Sequence, residues 1–340
     1  MPEAVFPTTD PSDSGGEIFP AGGDLSDRLG PMTVKELRQG TRRVSFVIPF
    51  LAIHLLAILT TFVEFKAGGI GMTSDRPGLL NVWLLVSSGP FWFVVALVCS
   101  VIMPLGGLTM MTGELEDQNH ELLLLTTLNR WQVVRGKFFT LWGMCILAFV
   151  SLLPYVVVRY LVGGIEPLQE IACSATVVAL SGMVCAGAIG ASGFLGIGKR
   201  IFVIVLFLAS MGAACAPPLV TTLALPGGYP IVYHITALVA FIAYVVLGLA
   251  LARSRMRLAT QSYEVKPSLL ILGIIFFTPP AVWMVTAISL GYAGGVALAF
   301  LAFLAFAMDP PSGSIPGPRK SPPTRNPAPS VDQSKHPKAE

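Results

Sequence analysis

The stretch IVYHITALVAFIAYVVLGLALARSRMR, Ile231–Arg257, decides the fold class. Its first 22 residues, through Ala252, contain no Asp, Glu, Lys or Arg; three arginines then fall within five positions. At 1.5 Å per residue such a run makes a helix about 33 Å long, enough to cross ~30 Å of hydrocarbon. The arginines that end it suit the headgroup layer of a membrane better than a soluble core.

Five further runs, on the N-terminal side, have the same character: Val44–Val63, Gly89–Met111, Phe138–Val162, Ile171–Ile197 and Ile201–Ala224. A last apolar stretch, Ser268–Met308, would be about 60 Å long as one helix, twice the bilayer, and divides at Gly291 into two short spans. The expectation is an all-α polytopic membrane protein of about eight transmembrane helices. Composition agrees. Of 340 residues, 54% are hydrophobic and 12% charged, where a soluble domain carries about 25% charge. A net charge of +3 is too small to indicate nucleic acid. All five cysteines lie inside apolar stretches and lack metal-type spacing, so they read as small hydrophobes.

Lys and Arg orient the spans. With an even count, one side holds Lys35, Arg38, Arg42, Arg43, Arg130, Arg135, Lys137, Lys199, Arg200, Arg253, Arg255, Arg257, Lys266, Arg319 and Lys320. The other holds only Lys66, Arg76 and Arg159. Fifteen against three places both termini in the cytoplasm, in a multi-pass protein of the cell inner (cytoplasmic) membrane. The expected organisation is a disordered tail over 1–32 with no cleavable signal peptide, a six-span domain over 33–258, a two-span hairpin over 259–308 and a Pro-rich tail over 309–340. Leu79–Val86 is too short to cross and reads as an interfacial helix before Pro90.

Two cytoplasmic segments carry more than topology. In GPMTVKELRQGTRR, Gly30–Arg43, Thr33 and Glu36 have capping-box spacing, and Lys35, Glu36, Leu37 and Arg38 begin a short amphipathic helix along the inner surface. A bare positive stop for the first span is the alternative. Between the second and third spans lies TGELEDQNHELLLLTTLNRWQVVRGK, Thr112–Lys137. Its acidic start (Glu114, Glu116, Asp117) leads to Glu121 and the leucines Leu122, Leu123, Leu124 and Leu125. Asn129, with Gln132 at the box position, then caps a second short helix through Arg130, Trp131, Gly136 and Lys137. Apolar helices outside the bilayer are a surface seeking a partner.

This pattern resembles the cytoplasmic loop of ABC-2-type permeases, the membrane-spanning subunits of ATP-binding-cassette transporters. VKELRQ, from Val34, resembles the same family's start, and LALARSRMRL, from Leu249, the end of its sixth span. The resemblance covers roughly residues 30–258. Thr127 stands where the family often has proline, and the C-terminal helix pair is added to a six-span permease core. The resemblance implies a dimer with a second permease subunit, homo- or heteromeric. It also implies a separate ATPase subunit docked on Glu114–Lys137, whose hydrolysis drives alternating access. ATP and Mg would then be bound by that subunit and no cofactor by this chain, which would not itself be an enzyme.

Other constellations point elsewhere only weakly. GFLGIGKR, Gly193–Arg200, nearly matches a phosphate-binding loop, but Arg200 replaces the Ser/Thr that holds Mg²⁺ and no strand precedes it; it reads as a turn that ends a span. Glu116 and His120 share a helix face that suits solvent better than a metal. His54 stands mid-span and reads as a neutral histidine bonded to a neighbouring helix. Arg159 reads as snorkelling to the outer interface. Gly182, Ala186 and Gly190 make a small-residue face for close packing, within the subunit or across a dimer. A secondary transporter or channel, a membrane enzyme and a membrane scaffold are the competing functions. The assigned spans contain no Asp or Glu, which argues against ion coupling.

Overall fold

The computed structural model describes residues 40–41, 44–67, 78–111, 130–163, 166–224, 230–256 and 267–308. The described chain is helical throughout. Helix α1 is Val44–Ala67, the short α2 is Val82–Ser87, and α3 is the span Pro90–Thr109. Then follow α4 (Arg130–Gly163), α5 (Pro167–Ser192), α6 (Ile197–Ala224), α7 (Pro230–Arg255), α8 (Pro267–Ile288) and α9 (Gly294–Ala307). Among the described residues, seven helices are long and apolar enough to cross a membrane. The eighth apolar helix, α9, has 14 residues and is about 21 Å long, shorter than a full crossing. The protein is an all-α, multi-pass membrane protein. The interfacial helix expected at Leu79–Val86 is α2, capped by Asn81, whose side chain accepts from Leu84 N.

Proline sets much of this layout. Helices α3, α5, α7 and α8 each begin at a proline, where the missing N–H is no loss and φ is already helical. Inside a helix, proline frees the carbonyl four residues back. Before Pro104 the helix widens into a π turn, Val98–Ile102. Pro217 of α6 leaves Ala213 O without its helical donor, and the Trp283 indole N–H of α8 takes it at 2.9 Å. Pro279 of α8 frees Ile275 O, and the Ser210 hydroxyl of α6 donates to it at 2.7 Å. Each proline helix thus supplies a donor to one carbonyl freed in the other. The Tyr244 hydroxyl joins from α7, donating to Ser210 O at 2.8 Å.

Helix α5 is the centre. One apolar cluster joins α1–α5 through Trp92, Phe138 and Cys185; another joins α5–α9 through Met183, Phe207 and Tyr244. The small-residue face of α5 makes this possible within the subunit. A Cβ on Gly190 would lie 2.9 Å from Gly248 O, and one on Gly248 would lie 2.5 Å from Ala186 C. Helices α5 and α7 therefore touch backbone to backbone.

Several boundaries differ from expectation. The fourth span ends at Ser192, not Ile197, because residues 193–196 form a turn with Gly196 at φ 91°. Gly198, Lys199 and Arg200 already belong to α6, so the near phosphate-loop sequence is a helix–turn–helix junction. The helix expected to start at Asn129 is no separate element. It is the first two turns of α4, a 34-residue helix, because nothing between Gln132 and Phe138 interrupts it. Residues 289–293 turn as expected, with Gly291 at φ 99° and its N–H on Thr286 O.

Candidate functional site

Of the residues expected to dock a partner, Glu114, Glu121, Leu122, Leu123, Leu124 and Asn129 lie outside the described residues. So do Lys35, Glu36, Leu37 and Arg38, and the Glu116/His120 pair. Arg130, Trp131, Gly136 and Lys137 are described, and they form the base of the loop on α4.

That base is tied down. Lys137 is buried and donates from Nζ to Met110 O at 3.0 Å, joining the start of α4 to the end of α3. Arg130 is buried. Trp131 is half-buried with its ring edge-on to Phe306 of α9, centroids 5.8 Å apart. Arg135 and Arg253 approach the same indole at 5.8 and 5.6 Å, and Arg253 also stacks on Phe306 at 4.8 Å while donating to Phe306 O. Trp131, one of the residues of the expected docking loop, thus packs against α7 and α9. On this stretch, Gln132 and Arg135 are the exposed side chains.

At the opposite end of α4 stands a second assembly. Arg159 was expected to snorkel to the interface; it is completely buried. Its Nε donates to Glu64 Oε2 of α1 at 2.8 Å, Nη1 to Glu170 Oε1 of α5 at 3.0 Å, and Nη2 to Ser88 O at 2.9 Å. Its guanidinium lies over the Phe91 ring at 4.8 Å. The statement that the spans hold no acidic residue is therefore corrected, because helices α1 and α5 extend past the apolar runs to include Glu64 and Glu170. Both carboxylates are buried, and burial of a charge is tolerable only with partners of this quality.

The remaining lone pairs are also used. Glu64 Oε1 accepts from Phe91 N, so this carboxylate of α1 caps the N-terminus of α3. Glu170 Oε2 accepts from Trp92 Nε1 at 3.0 Å. Gln169 Nε2 donates to Ser88 Oγ at 2.9 Å, and Cys173 Sγ lies 3.4 Å from that hydroxyl. Gly89 is required here twice. Its φ is 112°, and a Cβ would fall 2.6 Å from Glu64 Oε1. One arginine and two glutamates thus lock the same ends of α1, α3, α4 and α5.

No family model, characterised protein or solved structure matches the chain. The chemistry of its side chains is therefore the guide to function.

Among the described residues no group of three His, Cys, Asp or Glu is placed to hold a metal. The five cysteines are buried and free, with Cys145 and Cys185 Sγ 3.8 Å apart. His54 makes no hydrogen bond through Nδ1 to a neighbouring helix, contrary to expectation. Its ring instead packs against Phe50 at 4.7 Å and Tyr155 at 6.0 Å. The lock has no local signature, because Glu64 and Glu170 border apolar runs and Arg159 lies three residues inside the end of one. The usable signal was that Glu64, Arg159 and Glu170 fall at the same end of the bundle, on the side poor in basic residues.

Proposed function

We propose that the chain is the membrane-spanning permease subunit of an ABC-2-type transporter of the cytoplasmic membrane. It works as a dimer of permeases and is driven by a separate ATPase that binds ATP and Mg. The observation that carries the reading is the course of α4. This one helix begins at the partner-seeking loop, is pinned there to α3, α7 and α9, and reaches the ionic lock at its far end. Arg130 and Arg159 are 29 residues apart, about 44 Å at 1.5 Å per residue. A continuous helix of that length, with Pro154 inside it, connects the loop to the four helix ends that Arg159 joins, which is the link that alternating access between ATPase and substrate path needs.

The test is co-purification of the full chain with an ATP-binding-cassette ATPase from the same cells, followed by transport in liposomes. ATP-dependent transport that is lost when Leu123 and Leu124 are changed to Asp, with the permease still folded, is the expected result. A second reading, a secondary transporter, is favoured by the buried Glu64 and Glu170. It requires transport that follows an ion gradient without ATP, so the same liposomes decide between the two.

A further inference from the structure

A groove of about 420 Å³ runs between α7 and α9. Val239, Ile242 and Val246 form one wall; Ala299, Phe303 and Phe306 form the other. The two helices run side by side in the same direction. Thr236 packs against Gly295 near their starts, and Arg253 bonds Phe306 O near their ends. The groove therefore extends for seven residues along each helix, about 10 Å, and closes at Trp131. Its mouth faces outward, with Ile242 50% and Phe303 67% exposed.

Two arginines stand at the closed end. Arg135, exposed, and Arg253, buried, both flank the Trp131 indole. The α7 wall lies within a spanning helix, and the α9 wall, on the shorter apolar helix, faces it. Trp131 and the arginines lie at the helix ends, where indoles and cations meet headgroups. An apolar slot that ends at an aromatic ring and a basic pair has the polarity of one phospholipid molecule.

We propose that this groove binds one acyl chain of an anionic phospholipid of the surrounding membrane, with the phosphate held at the exposed Arg135. A zwitterionic lipid makes the same tail contacts but lacks the net charge. One arginine at the membrane surface favours an anionic headgroup about fivefold. The site is independent of what the protein transports.

The test uses the full chain in phosphatidylcholine nanodiscs. Each preparation carries a trace of phosphatidylglycerol or phosphatidylcholine with a photoactivatable group in the tail. The expected result is labelling of peptides spanning 239–246 and 299–306, about fivefold stronger from phosphatidylglycerol. Arg135→Gln should bring the two lipids to parity. Ala299→Trp, a change at an exposed wall position, should fill the slot and remove both labels. Val205→Trp, on the exposed face of α6, should leave both intact. Equal labelling by the two lipids in the unaltered protein, an unchanged ratio in Arg135→Gln, or labelling that survives Ala299→Trp overturns the proposal. A loss in Val205→Trp matching that in Ala299→Trp does so too, since it would mean general contact with bulk lipid.

Discussion

Replacing Arg159 by methionine keeps an unbranched apolar stem, shorter than arginine, and removes the guanidinium between Glu64 and Glu170. The formal charge of the lock goes from −1 to −2, in a place where neither carboxylate reaches water. The guanidinium's bonds to two carboxylates, the one to Glu170 forked over both oxygens, and its bond to Ser88 O disappear as well. At about 1.5–3 kcal/mol for each bond to a charged group, and somewhat less for the carbonyl, simple addition gives about 4–7 kcal/mol. Neighbouring bonds are not additive, and breaking a buried pair by removing one partner costs about 3–5 kcal/mol. A loss of about 4 kcal/mol is expected. In detergent micelles, followed by tryptophan fluorescence, that corresponds to a midpoint about 8 °C lower, at about 2 °C per kcal/mol for a chain of this size.

The comparison that isolates the charge is with two further variants. Glu64→Gln leaves one arginine and one glutamate, formally neutral, and keeps an oxygen for Phe91 N. It should lose only about 1–2 kcal/mol. The triple change Arg159→Met, Glu64→Gln, Glu170→Gln removes every charge and should be more stable than Arg159→Met alone, because buried ion pairs replaced as a set are often neutral in effect. The reasoning is refuted if Arg159→Met melts within about 2 °C of the unaltered protein. It is equally refuted if the triple variant is as unstable as the single one, which would make packing rather than charge the cause.

Three other outcomes follow from the same contacts. Gly89→Ala should destabilise the fold by about 1–3 kcal/mol in the same melting assay, since it meets both a positive φ and the Glu64 carboxylate. Trp131→Ala should lower the stability of the isolated chain by about 1–3 kcal/mol and leave ATPase capture per folded molecule unchanged, whereas Leu123→Asp should do the reverse; a pull-down normalised to folded protein separates them. A reporter fused after Met308 should be active only in a cytoplasmic assay, and activity outside would mean that the 14-residue α9 does not cross.

Much of the architecture was legible because a bilayer leaves the chain few choices. Apolar length, a proline at a helix start and a glycine at a turn are local signals, and Pro90, Pro167, Pro267 and Gly291 all act where they stand. Contacts between helices are a different matter. Pro217 and Pro279 announce a freed carbonyl each, yet nothing local says that Trp283 and Ser210 will supply the donors. The ionic lock is the same problem with charge. An acidic residue at the edge of an apolar run reads as the end of a span, because an isolated carboxylate belongs in water. It becomes the inside of a helix only when a guanidinium on another helix reaches it, and Arg159 reaches two. Charged residues that frame apolar runs on the cation-poor side are therefore better read together than singly. If one of them is a lone arginine and the others are carboxylates at matching depth, pairing within the bundle satisfies all of them, whereas snorkelling satisfies one and strands the rest.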